Sequence, residues 1–95
     1  MNAIISVTGK DSVGIIAKVS SECAKYKVNI SDISQTVLQD YFVMIMLADI
    51  RALEIPFTEF VDKMKQVGVE MNLSVLTMHE DIFNSMHRIC QLTGR

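Results

Sequence analysis

The spacing of apolar residues changes several times along the chain. Ala3 to Thr8 (AIISVT) is short and β-branched, with Ile5 and Val7 on one side, which predicts a strand. Ile16, Val19, Cys23 and Tyr26 then recur every three or four residues and gather on one face of a helix. Lys18, Ser21, Glu22 and Lys25 take its other face, and Asp11 or Ser12 is a reasonable N-cap. Val28 to Gln39 favours a second strand. Asn29, Asp32 and Ser34 interrupt its alternation, so a bulge or bend is expected near Ser31 to Ser34. Gln39-Asp40 marks a tight turn. Tyr41 to Asp49 is the strongest strand, with Phe42, Met44, Met46 and Ala48 on one face and Tyr41, Val43, Ile45 and Leu47 on the other. Both faces are apolar, so both should be covered.

Pro56 suits the first turn of a second helix, whose stripe is Phe57, Phe60, Val61, Met64 and Val67. Glu59 can pair with Lys63, and Gly68 is expected to stop this helix. Glu70 to Met78 alternates as a strand. A last helix from Glu80 to about Cys90 groups Ile82, Phe83, Met86 and Ile89. The order β-α-β-β-α-β with an added helix predicts an α+β, ferredoxin-like sandwich. Two helices would cover one face of a four-stranded antiparallel sheet. The other face, centred on Val43, Ile45 and Leu47, needs the last helix or another subunit over it. We read residues 1–95 as one domain, with a core over 3–78 and an added helix at about 80–90.

Composition narrows the function. The chain is 49% hydrophobic with a net charge of −2, and its basic residues do not cluster, which argues against nucleic acid as a partner. No apolar run reaches the length of a membrane span, and no leader peptide is evident, so a cytoplasmic protein with reduced thiols is expected. Cys23 falls on an apolar helical stripe and reads as packing. No cofactor is expected.

The stretch TGKDSVGI, Thr8 to Ile15, is the candidate site. Gly9 and Gly14 have P-loop separation, but Ile15 and Ile16 stand where the lysine and hydroxyl belong. The stretch has no cysteine for a soft metal. Tyr41 is a lone aromatic candidate on the open face, too little for an RNA-binding sheet. A small loop at a helix N-terminus remains. Amides around Ser12, Val13 and Gly14 can take a carboxylate, Asp11 can take an ammonium group, and Asn29 offers both donor and acceptor. Asn29, with Ile30 beside it, is expected to lie close to Asp11 and Gly14. Together these suit an α-amino acid. Plainer roles stand beside these: Asp11 as a helix cap, Gly14 for close packing, and Asn29 satisfying a turn amide.

The stretch GKDSVGIIAKVS (Gly9 to Ser20), followed by VNISDISQTV (Val28 to Val37), resembles an ACT domain. The likeness runs from Ala3 to about Met78. It is similar to the small stand-alone ACT-domain proteins and to the ACT modules of the glycine cleavage transcriptional regulator. The resemblance implies regulatory amino-acid binding, usually in a dimer. The ligand would lie between the first loop and the start of the second strand, often against the neighbouring subunit. By position, Asp11 matches the polar loop residue, Gly14 the glycine at the helix start, and Asn29 the polar residue opening the second strand. Some members place a polar side chain two residues before Asp11; this chain has Gly9, which removes one possible contact.

His79 and His87 stand too far apart on a helix to share a metal, and His87 with Cys90 lacks further ligands, so no metal site is expected. No nucleophile–base pair or paired acids suggest catalysis. The expected function is a non-catalytic, homodimeric regulatory module that binds a small amino acid or related metabolite and acts on a partner enzyme or regulator. The alternative is a protein-interaction adaptor with a vestigial pocket.

Overall fold

The computed structural model describes residues 1–10 and 12–92, with side chains up to residue 86. The elements are β1 (Asn2–Lys10), α1 (Ile15–Lys25), β2 (Asn29–Leu38), β3 (Tyr41–Asp49), α2 (Phe57–Met71), β4 (Leu73–His79) and α3 (Glu80–Leu92). The strands form one antiparallel sheet in the order β2-β3-β1-β4. This is the ferredoxin-like α+β arrangement, extended by α3.

Alternation in β1 and β3 builds the core. Ala3, Ile5 and Val7 of β1 and Phe42, Met44, Met46 and Ala48 of β3 all turn to the helix layer and are buried. From α1 come Ile15, Val19 and Cys23, and from α2 Phe60, Met64 and Val67. Phe60 is fully buried and meets the Tyr26 ring edge-on, with centroids 6.3 Å apart. Above this layer Lys18 pairs with Glu70 at 3.6 Å, joining α1 to α2. That exposed pair adds little stability, since solvent screens it.

The expected bulge in β2 is present: pairing with β3 shifts register between Ile30 and Asp32. The tight turn also forms, with Gln39 in the left-handed region at φ 56°. Four local expectations need correction. The core residue opening α1 is Ile15, not Ile16, because Ile15, Val19 and Cys23 follow one another at four-residue intervals. Ile16 lies about 100° further round and is exposed. Gly68 does not stop α2. It is a buried helical residue, and the helix ends at Met71 with Asn72 in the left-handed conformation (φ 61°, ψ 42°). Asparagine tolerates that conformation better than most residues. Consequently β4 begins at Leu73 rather than Glu70. Glu59 and Lys63, though spaced for it, form no ion pair; the second helix is tied to the first by Glu70 instead.

Thr77 faces the core from β4, and its Oγ1 is buried without a hydrogen-bond partner. An unmet buried hydroxyl costs about 1–3 kcal/mol, and valine has nearly the same shape. Thr77→Val should therefore raise the unfolding free energy by about 1 kcal/mol. Urea melts of the two proteins measure this, and an equal or lower midpoint for the variant would contradict it.

The opposite sheet face is only partly covered. Helix α3 follows β4 without a linker and lays Phe83 and Met86 over Ile4, Ser6, Ile45, Leu76 and Met78. Ile45 remains 48% exposed. Among the described residues, no helix is long and apolar enough to cross a membrane.

Candidate functional site

The loop between β1 and α1 ends on Gly14, the N-cap of α1, at φ 89° and ψ 7°. A Cβ there would meet no described residue within 4 Å, so the glycine answers to backbone conformation and not to close packing. The Gly14 carbonyl accepts the first helical bond, from the Lys18 amide at 3.0 Å. Among the described residues no side chain caps the helix, and its first turn has no acidic residue. Ser12 is thus not the N-cap. The amides of Ile15, Ile16 and Ala17 lack intrahelical acceptors, as at any helix start, and the helix dipole makes this end favourable to an anion. Ser12, Val13 and Gly14 are exposed, Val13 by 99%. Asp11 lies outside the described residues.

Gly9, two residues earlier, has a structural reason of its own. A Cβ on it would stand 2.6 Å from Leu73 Cδ2 and 3.3 Å from Leu73 Cα. The backbone of β1 approaches the start of β4 so closely that a larger residue must displace Leu73. The side chain missing from the loop is therefore missing for packing.

Asn29 is not beside this loop in the same chain. Asn29 and Asn2 both pair with Asp49, whereas Leu38 and Lys10 both pair with Tyr41. Strands β1 and β2 therefore run parallel, with β3 between them. The loop continues from the Lys10 end, and Asn29 stands at the other end. Eight steps of about 3.3 Å put roughly 26 Å between the two ends. The expected proximity of Asn29 to Gly14 fails within one chain. Ile30 pairs with Ala48, turns to the helix layer and is half-buried against the core.

The structure groups Asn29 with residues that sequence patterning did not single out. Lys27, Asn29, Asp49, Arg51 and Ala52 line an open hollow of about 370 Å³. Arg51 donates through its backbone amide, Nε and Nη2 to the Asp49 carboxylate, the shortest of these bonds being 2.7 Å. These bonds hold the Asp49 carboxyl down to about 2, and the carboxylate in turn raises the Arg51 guanidinium. Lys27, at φ 65°, adds a second cation. The rim of this hollow thus carries two cations, one carboxylate already engaged by arginine, and one carboxamide. An Asp-x-Arg spacing at the end of a strong strand was the available signal.

Other candidates resolve as structural. Cys23 is buried, and desolvation by its apolar surroundings, with a smaller push from Glu22, raises its thiol to about 11. It is a packing residue, not a nucleophile. His79 Nδ1 accepts the Asp81 amide at 3.1 Å and so caps the start of α3. Among the described residues, no cluster of three or more His, Cys, Asp or Glu side chains could hold a metal ion. The side chains of His87 and Cys90 lie outside the described ones.

Comparison with known proteins gives a consistent result. The ACT domain family profile matches residues 2–77. The chain is 48% identical to a UPF0237 protein of Clostridium acetobutylicum, over 94% of this chain and 100% of that one. Among solved structures it is similar to an ACT domain protein from Streptococcus pneumoniae, with a TM-score of 0.77 and 38% identity. That match covers 87% of this chain and 93% of the other. A structure described as a putative glycine cleavage system transcriptional repressor shares the fold at a TM-score of 0.65 and 18% identity, over 80% of this chain and 43% of that one.

Proposed function

The chain belongs to the ACT domain family, and from that premise we propose that it is a non-catalytic regulatory module. Its ligand is a small amino acid or related metabolite, held between two copies of the chain in a cytoplasmic homodimer. The observation that carries this reading is the opposition of the loop and Asn29 at the two ends of the sheet. Strand β2 is a sheet edge, and Ile33, Val37 and Leu38 along it are exposed. Two β2 edges paired antiparallel across a two-fold axis bring the start of one strand level with the end of the other. The partner's Asn29 then stands at the same end of the joined sheet as the loop that follows Lys10, which leads across β3 into α1. A site that is split in one chain becomes complete in two.

In that arrangement the first-turn amides of α1 take the ligand carboxylate and Asp11 takes its ammonium group. Ser12, Val13 and Gly14 form the wall, and the partner's Asn29 adds a carboxamide, with the partner's Ile30 behind it. A ligand that touches both subunits binds the dimer in preference to the monomer, so it tightens one quaternary arrangement. A partner enzyme or transcriptional regulator reads that change.

Calorimetry against a panel of amino acids, with Asp11→Ala and Asn29→Ala, tests the reading. Each variant should lose roughly ten- to a hundredfold in affinity, the range expected when a hydrogen bond to a charged group is removed. A co-refolded mixture of the two variants should recover native affinity at one of the two sites in each mixed dimer. That site draws its loop from one variant and its Asn29 from the other. Absence of binding at millimolar ligand, or a mixture no better than its parents, defeats the proposal.

A further inference from the structure

A hollow separate from the candidate site lies on the opposite face of the sheet, under α3. Register explains why a hollow exists there. Ser6 sits between Ile45 of β3 and Leu76 of β4 in one cross-strand row, and Ile4 sits beside Met78 in the next. The row Ile45–Ser6–Leu76 therefore dips at its middle, where a two-atom side chain stands between two branched four-carbon ones. Phe83 and Met86, three residues apart on α3, roof the dip. The hollow is partly open and has a volume of about 210 Å³, and among the described residues the Ser6 hydroxyl is the one polar side-chain group in its lining. That hydroxyl has no hydrogen-bond partner among the described residues.

Size and lining select a chemistry. A dry cavity of about 150 Å³ lined by aliphatic and phenyl groups is sufficient to bind benzene. The hollow here is larger, at about 210 Å³, but open on one side, so a ring can seat in it with a substituent reaching toward its margin. Two thioethers, from Met78 and Met86, and the Phe83 ring favour an aromatic guest, since sulfur and ring edges both attract π systems. The Ser6 hydroxyl can give or accept one hydrogen bond. Met86 is 53% exposed and Leu76 55%, so the hollow opens to solvent at its margin and a guest can enter without unfolding α3.

We propose that the hollow over Ser6 binds a monocyclic aromatic molecule carrying one small hydroxyl-like substituent. This site is independent of the loop and Asn29, and either can exist without the other.

The test is a methyl NMR titration of the full chain with p-cresol and, separately, toluene. Saturable shifts are expected at the methyl groups of Ile4, Ile45, Leu76, Met78 and Met86, with p-cresol binding at least threefold tighter than toluene. Ser6→Val fills the dip and should weaken both ligands at least tenfold. Ser6→Ala keeps the space and should erase the preference for p-cresol while leaving toluene affinity unchanged. Thermal melts establish that both variants are folded. The proposal is overturned by any of three results: no saturable shift up to the solubility limit, p-cresol binding that survives Ser6→Val, or shifts of these methyls that follow protein concentration and not ligand. The last result would assign the hollow to contact between copies of the chain.

Discussion

Gly68→Val is expected to destabilise the fold by about 3 kcal/mol, at the upper end of what overpacking costs. Helix propensity alone predicts the reverse, because glycine is worth roughly 1 kcal/mol less than alanine inside a helix. The contact outweighs it. A Cβ at residue 68 would lie 2.7 Å from the Leu73 carbonyl oxygen and 2.9 Å from Val75 Cγ2. The oxygen is backbone and belongs to the first residue of β4, one position beyond the Asn72 turn, so it cannot swing aside. Either α2 lifts from the sheet or β4 loses its place beside β1. Gly68→Ala, with the same Cβ but no branches, should cost about 1–2 kcal/mol once its propensity gain is counted. Denaturant melts of the pair, with the exposed Val69→Ala as reference, read this directly. A Gly68→Ala protein as stable as the native one would show that α2 and β4 have room to separate.

Phe60→Ala is expected to cost about 3–5 kcal/mol. The ring is fully buried between the helices and the sheet, and it holds Tyr26 edge-on at the C-terminal end of α1. Its removal deletes the largest fully buried side chain and leaves a cavity that β-sheet and helix backbones cannot close. Against a total stability of roughly 5–15 kcal/mol for a domain of ordinary size, the loss is a large share. Phe60→Leu retains most of the volume and should recover more than half of the deficit. Equal melting of Phe60→Ala and Phe60→Leu would mean that the site collapses freely, contrary to the packing described.

Much of this fold is legible in the residue pattern, and the reasons are physical. Strand β3 reads without error because both of its faces are apolar and strictly alternate, so a shift of one residue would still leave a strand. The β2 bulge reads from polar residues that break alternation at Ser31 to Ser34. Helix ends read less well. Gly68 looks like a stop by residue type, but the helix runs on to Met71 because β4 passes close enough to need a glycine there, which no local pattern encodes. Ile15 and Ile16 are adjacent and chemically alike, so the core face of α1 turns on where the helix begins. That start lies at Gly14, whose left-handed φ is invisible until the chain is folded.

The candidate site shows a different kind of limit. The element order already fixed the position of Asn29. A strand, a helix and a parallel strand in one sheet start their strands at the same end, so the loop after β1 and the first residue of β2 must be far apart. In the proposed dimer, the proximity that the family pattern implies arises between two chains, and one chain read alone joins residues that two chains would share. The Asp49–Arg51 bracket was missed because neither residue is unusual at a strand end. Its significance comes from Lys27 and Asn29, which the register of β2 on β3 brings alongside.

The passage from β4 into α3, where His79 ends one element and Glu80 opens the next, has a consequence for how this chain can change in length. With no spacer, the rotational phase of the helix is inherited from the strand. One inserted residue would turn α3 by about 100° and carry Phe83 and Met86 off the sheet. Between Ile50 and Pro56, by contrast, the chain crosses from sheet to helix layer through turns and irregular backbone. Insertions and deletions along a lineage should therefore accumulate in that crossing and be purged at the strand–helix joint, so that the final helix keeps its length register even where its surface residues drift.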